Sequence, residues 1–274
     1  MKPVYIKKIA FYPAPARLIL FLVTLLVLWL PLAAPLYWLL GKDPNLVSIL
    51  TMGLLYLIFL GLIQQWGKRV YNHPNLFKRY GLVNTRQNAQ NFCQGFTLGF
   101  VVCLGIFVIQ GVLGWLNWQP GKDNLGQITL EGILIGIAIG FAEELLFRGW
   151  LLDELERDYT PSKAMWLNGL IFGLLHFLKP LGEIIRTLPQ LPALIALGLI
   201  LVQTKRLQQQ RLGMAIGIHG GLVSSYYLLN VGKLISYTEV VPDWVTGIDG
   251  NPLAGLMGWC GLAILAWLVR SNRK

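Results

Sequence analysis

Residues 128–152 read ITLEGILIGIAIGFAEELLFRGWLL. About 20 apolar helical residues cross a bilayer core of ~30 Å, so the stretch is long enough to span a membrane. It nevertheless carries Glu143, Glu144 and Arg148. Each such charge costs ~2.5–3.5 kcal/mol at the centre of a membrane helix, so these groups are expected to be paired or used. Gly132, Gly136, Gly140, Glu144 and Arg148 recur every fourth residue and share one stripe of the helix. The glycines form a surface for close helix contact. Glu144 and Arg148, one turn apart, can pair with each other. Glu143 lies about 100° around the helix from Glu144, off that stripe. The two adjacent carboxylates therefore have different surroundings: Glu144 with Arg148 is expected to be structural or orienting, and Glu143 is expected to face a cavity.

The rest of the chain has the same membrane character. Of 274 residues, 55% are apolar and only 13% charged, where a soluble domain carries about 25% charged residues. Eight stretches are predicted to span: 17–40, 45–65, 94–117, 128–151, 164–180, 188–204, 211–231 and 253–270. Lys7 and Lys8 before the first resemble the start of a signal peptide. The apolar run is too long for one, and Pro31 and Pro35 fit a kinked anchor better than a cleavage site. With alternating sides, 17 of the 23 Lys and Arg fall on the side of both termini and five on the other, Arg148 being the remaining one. The termini are therefore expected to be cytoplasmic. That split accounts for the net charge of +10 without a nucleic-acid partner. Cys93, Cys103 and Cys260 form no CxxC pair, which argues against a disulfide framework or zinc knuckle. The expected fold is all-α, a multi-pass bundle of about eight helices in a cell membrane or an internal membrane. The chain divides into 1–127 with the first three helices, a motif-bearing core at 128–230, and 231–274 with a loop and the last helix.

Two of the three histidines also fall inside predicted spans. His176 lies in KAMWLNGLIFGLLHFL and His219 in RLGMAIGIHGGLVSSYYLL, while His73 sits in a polar loop. Measured from the cytoplasmic helix ends, Glu143, His219 and His176 lie at depths of roughly 13, 12 and 20 Å. The three are therefore expected to line one cavity opening to the cytoplasmic side. A carboxylate and two imidazoles in a wet pocket suit hydrolysis: a general base for water, and donors for the oxyanion that forms. Ser224 and Ser225 follow His219 too closely to serve it as nucleophiles, and GxSxG is absent. HExxH is absent as well. His176, His219 and Glu143 are compatible with a divalent metal such as zinc but do not demand one.

Glu143-Glu144-Leu-Leu-Phe-Arg148 is an EExxxR motif, Phe172-Gly-Leu-Leu-His176 is FxxxH, and His219 follows on a later helix. In that order, over roughly 128–230, the chain resembles the CPBP family, also called Abi, which contains the type II CAAX prenyl endopeptidases and bacteriocin-immunity proteins. The resemblance implies a glutamate-dependent intramembrane endopeptidase acting on a membrane-embedded or lipidated polypeptide in the bilayer. It implies Glu143 as general base, Glu144 with Arg148 as the supporting pair, His176 as a water or metal partner and His219 in the oxyanion-binding group, with Phe172 as the motif aromatic. The third family motif is HxxxN, and here Val223 stands where the asparagine would be. Asn168 and Ser224 are candidate replacement donors. The alternative is a non-catalytic membrane scaffold or protective partner of another membrane protein, a role the family also contains. A proton or small-substrate transporter fits less well, because the polar groups cluster in one half of the membrane.

Overall fold

The computed structural model describes residues 7–271, so Lys2, Arg273 and Lys274 of the charge count lie outside the described residues. The described residues form two compact units, 7–79 with 153–159 and 80–152 with 160–271. These divisions follow packing, whereas 127 and 230 in the sequence mark motif content.

In the first unit, α1 (Ala14–Leu40) runs unbroken through Pro31 and Pro35, and α2 (Pro44–Arg69) begins at an Asp43 cap that accepts the Leu46 amide at 3.0 Å. Phe21 of α1 meets Phe59 and Trp66 of α2 edge-on, at 6.0 and 5.3 Å between ring centroids. Arg17, counted in the sequence among the loop cations, is buried. Its Nε donates to Glu154 at 2.9 Å and its Nη2 to the Glu154 carbonyl at 2.9 Å. Its Nη1 donates to Asp158 at 3.1 Å and to the Tyr12 carbonyl. The Tyr71 hydroxyl donates to Glu154 at 2.7 Å, and the Arg157 guanidinium lies 3.6 Å from the Tyr71 ring centroid. Burial pushes the Tyr71 phenol up from its ordinary value, and neighbouring Glu154 pushes the same way.

The second unit contains α3 (Arg86–Val112), α4 (Leu125–Glu144), α5 (Pro161–Leu175), α6 (Leu191–Leu207), α7 (Gly213–Val231) and α8 (Leu256–Ser271). α7 lies between α3 and α4, in backbone contact with both. A Cβ at Gly136 of α4 would stand 2.0 Å from Ser224 Oγ, and one at Gly217 of α7 would stand 2.2 Å from the Phe92 carbonyl of α3. Only glycine lets the helices close this far, which is the role expected for the four-residue glycine stripe. α7 is therefore enclosed by protein, which lets it carry His219, Ser224 and Ser225 away from lipid.

Each of the eight predicted spans overlaps a helix, the third, 94–117, running past the end of α3 at Val112 into a strand that starts at Leu116. Five helical stretches, 14–40, 44–69, 86–112, 125–156 and 181–207, are long and apolar enough to cross a membrane. α5 and α8 are shorter, at 15 and 16 residues. Two departures bear on the all-α reading and its boundaries. A two-stranded antiparallel ribbon, β1 (Leu116–Trp118) with β2 (Ile235–Tyr237), pairs the backbone groups of the connections after α3 and α7. And α5 stops at Leu175, five residues before the predicted end, because Pro180 lies ahead and the 176–178 amides turn back to carbonyls three residues earlier. His176 is thus the residue that caps the end of α5.

Candidate active site

α4 does not end as an ordinary helix. From Leu145 to Leu151 the backbone winds as a π-helix before α geometry resumes at Leu152–Glu156. π turns inside α-helices are frequent at functional sites. Glu143 and Glu144 sit at its upstream edge and Arg148 within it.

The glutamates separate as their helix positions predict. Glu144 and Arg148 are both 0% exposed and pair at 2.8 Å, whereas Glu143 is 31% exposed. The same Glu144 oxygen, Oε1, also lies 2.8 Å from His219 Nδ1. The Arg148 guanidinium lies 4.2 Å from the Phe172 ring centroid, and its Nη2 donates to the Gly198 carbonyl at 3.3 Å. Phe172 therefore links the two motifs: its ring also meets His176 edge-on at 4.6 Å and His219 at 6.1 Å.

The second imidazole is fixed through backbone. His176 Nδ1 lies 2.8 Å from the Phe172 carbonyl, an oxygen that can only accept, so this nitrogen carries the proton in the neutral ring. His219 Nδ1 is matched in the same way to the Glu144 carboxylate. Both Nε2 atoms are then left to face Glu143, each 3.9 Å from its Oε2. That oxygen is buried and has no hydrogen-bond partner among the described residues. A gap of 3.9 Å is too long for a direct bond, but one water at ~2.8 Å from both ends would span it at about a right angle. Among the described residues no group of three or more His, Cys, Asp or Glu side chains is placed to hold a metal ion.

His176, His219, Phe172 and Val223 line a cavity of about 380 Å³ whose other walls are mostly aliphatic residues of α3, α6 and α8. Its lining continues to Lys179, Gln190 and Asn251. It therefore extends toward the connections following α5 and preceding α8, at the opposite end of the helices from the 157–160 and 208–212 connections. His176 closes that end of its short helix, so its ring reaches the layer of Glu143 from there.

The proposed substitute donors are not in the cavity wall. Asn168 Nδ2 donates to the Phe147 carbonyl at 2.7 Å, and Ser224 Oγ donates to the Gly220 carbonyl at 2.7 Å. One functional neighbour went unread in the sequence. Lys205, counted as a loop cation, is buried and donates to the Arg148 carbonyl at 2.7 Å. Its position near the end of a predicted span carried no signal of this.

Residues 125–224 match the family model described as type II CAAX prenyl endopeptidase Rce1-like. Over this stretch the chain is similar to the Rce1-like family. All six motif residues, from Glu143 to His219, lie inside the matched segment. No curated protein and no solved structure matches the chain. The long apolar helices and this similarity together support an integral membrane protein.

Proposed function

We propose that the chain is a glutamate-dependent intramembrane endopeptidase that hydrolyses a peptide bond in a membrane-embedded or lipidated polypeptide. The observation that carries this reading is the convergence of His176 Nε2 and His219 Nε2 on one Glu143 oxygen, each at 3.9 Å. Three acceptor atoms meet there, and one water brings only two hydrogens. In this reading one imidazole enters the cycle protonated and donates from Nε2 beside the Glu143 carboxylate. Glu143 takes a proton from the water as its oxygen attacks the scissile carbonyl carbon. The imidazolium donates to the oxyanion of the tetrahedral intermediate. As the C–N bond breaks, the proton on Glu143 passes to the departing amine, which regenerates the carboxylate. Glu144, held by Arg148, keeps the His219 ring aimed. The mostly apolar cavity suits aliphatic side chains next to the scissile bond.

One observation favours the scaffold reading. Val223, one turn after His219, gives the cavity wall a methyl surface where an amide donor would stabilise the oxyanion. Incubating the purified protein with a library of membrane-embedded and lipidated peptides in H₂¹⁸O separates the two. Hydrolysis places one ¹⁸O in the new carboxylate. Intact peptides, together with co-purification of a defined membrane partner, would favour the scaffold.

A further inference from the structure

The π turn sets up a backbone problem that a residue on another helix solves. The Leu152 amide donates back five residues to the Phe147 carbonyl, closing the last π ring. The same amide also donates to the Gly149 carbonyl three residues back, so its two bonds pass over the carbonyl between them. The register change therefore skips one acceptor, the carbonyl of Arg148. A buried carbonyl left without a donor costs free energy comparable to a lost hydrogen bond. The donor it has is the Lys205 ammonium, at 2.7 Å from α6. α6 meets the same residue a second time two turns earlier, where the Gly198 carbonyl accepts from Arg148 Nη2 at 3.3 Å. Both the backbone and the side chain of Arg148 are thus held by one face of α6. Arg148 in turn holds Glu144, and the same Glu144 oxygen holds His219.

We propose that Lys205 is a positioning residue of this site. By supplying the donor that the π turn withholds from the Arg148 carbonyl, it sets where Glu144, and through it His219, stand against Glu143. Its effect on rate rests on the hydrolytic reading above; its effect on His219 does not.

The test compares Lys205→Met, which keeps the stem and removes the donor, with Lys205→Arg, which keeps a charged donor, both in a His73→Gln background. Carbethoxylation of His176 and His219 by diethylpyrocarbonate is followed by mass spectrometry, and the ratio of the two rates is read within one molecule. General loosening of the fold raises both rates together. Loss of the Arg148–Glu144 alignment raises His219 alone, because His176 is anchored to the Phe172 carbonyl. The expected result is a His219 to His176 ratio several-fold higher in Lys205→Met and returned toward wild type in Lys205→Arg. On any peptide the wild type cleaves, kcat in Lys205→Met falls ~10-fold or more with KM little changed. If Lys205→Met does not fold, Lys205→Leu, shorter and equally without a donor, is read in its place. An unchanged ratio in a folded variant lacking the ammonium overturns the proposal. If the wild type cleaves nothing, the protease reading fails, and the histidine ratio still decides the role of Lys205.

Discussion

Each of the two units buries an arginine against a glutamate, and the two networks are finished differently. In the first unit Arg17 and Glu154 meet at 2.9 Å, both almost wholly buried. All three guanidinium nitrogens of Arg17 have acceptors, and Tyr71 closes the remaining Glu154 oxygen. In the second unit Arg148 and Glu144 meet at 2.8 Å with no exposure at all, yet Arg148 Nε, Glu144 Oε2 and Glu143 Oε2 have no protein hydrogen-bond partner among the described residues. Two imidazoles and a cavity adjoin them. A network whose polar groups are all spent on one another has nothing left for chemistry. One that leaves acceptors beside aimed imidazoles keeps them for water and substrate. Buried charge alone does not distinguish structure from function; what it is left facing does.

The sharpest way to break this contrast is to strand each arginine. Glu154→Ala and Glu144→Ala should each lose ~3–5 kcal/mol of stability, because each leaves a buried guanidinium without its partner. Thermal unfolding in detergent checks this. Per folded molecule, Glu154→Ala should keep full cleavage activity while Glu144→Ala loses it with the aim of His219. Equal activity in the two folded variants would remove the distinction between the networks.

Val223→Asn offers a gain of function. Loss of one oxyanion donor costs ~10²–10³ in rate in other hydrolases, so an added amide one turn from His219 should raise cleavage by some part of that factor. The amide also risks an unsatisfied group at a cost of ~1–3 kcal/mol, so unfolding must be measured beside rate. A rate that falls while the fold holds would mean that this wall contacts substrate and not the oxyanion. The smallest expected effect is that of Tyr71→Phe, which removes one hydroxyl from the closed network. It should lower stability by ~1–2 kcal/mol and leave cleavage unchanged.

Much of the site was legible because it depended on helix period. One residue of offset at about 100° per position separates Glu143 from Glu144, and the structure keeps that separation. The histidines could be read because imidazoles at membrane depth stand out against apolar neighbours. The π turn at Leu145–Leu151 could not be read, since its leucines and aromatics suit α geometry equally well. Lys205 went unread with it, and Asn168 was read as an oxyanion donor: their partners, the carbonyls of Arg148 and Phe147, carry no sequence signal. Arg17 was taken for a loop cation because Glu154 and Asp158, far along the chain, gave no local pairing cue. The short end of α5 was marked by Pro180, but the apolar run across His176 and Phe177 outweighed it in the reading.

The central claim is that Glu143, and not merely a buried carboxylate, performs the hydrolysis. Glu143→Ala removes a partly exposed side chain, while Arg148 keeps its direct pair with Glu144, so the fold should hold. The decisive measurement is cleavage of a membrane-peptide library by equal amounts of folded wild type, Glu143→Ala and Glu154→Ala. The account predicts cleavage by wild type and Glu154→Ala, and a fall of ~10²–10⁴ or complete loss in Glu143→Ala. Cleavage by Glu143→Ala at the wild-type rate would contradict it.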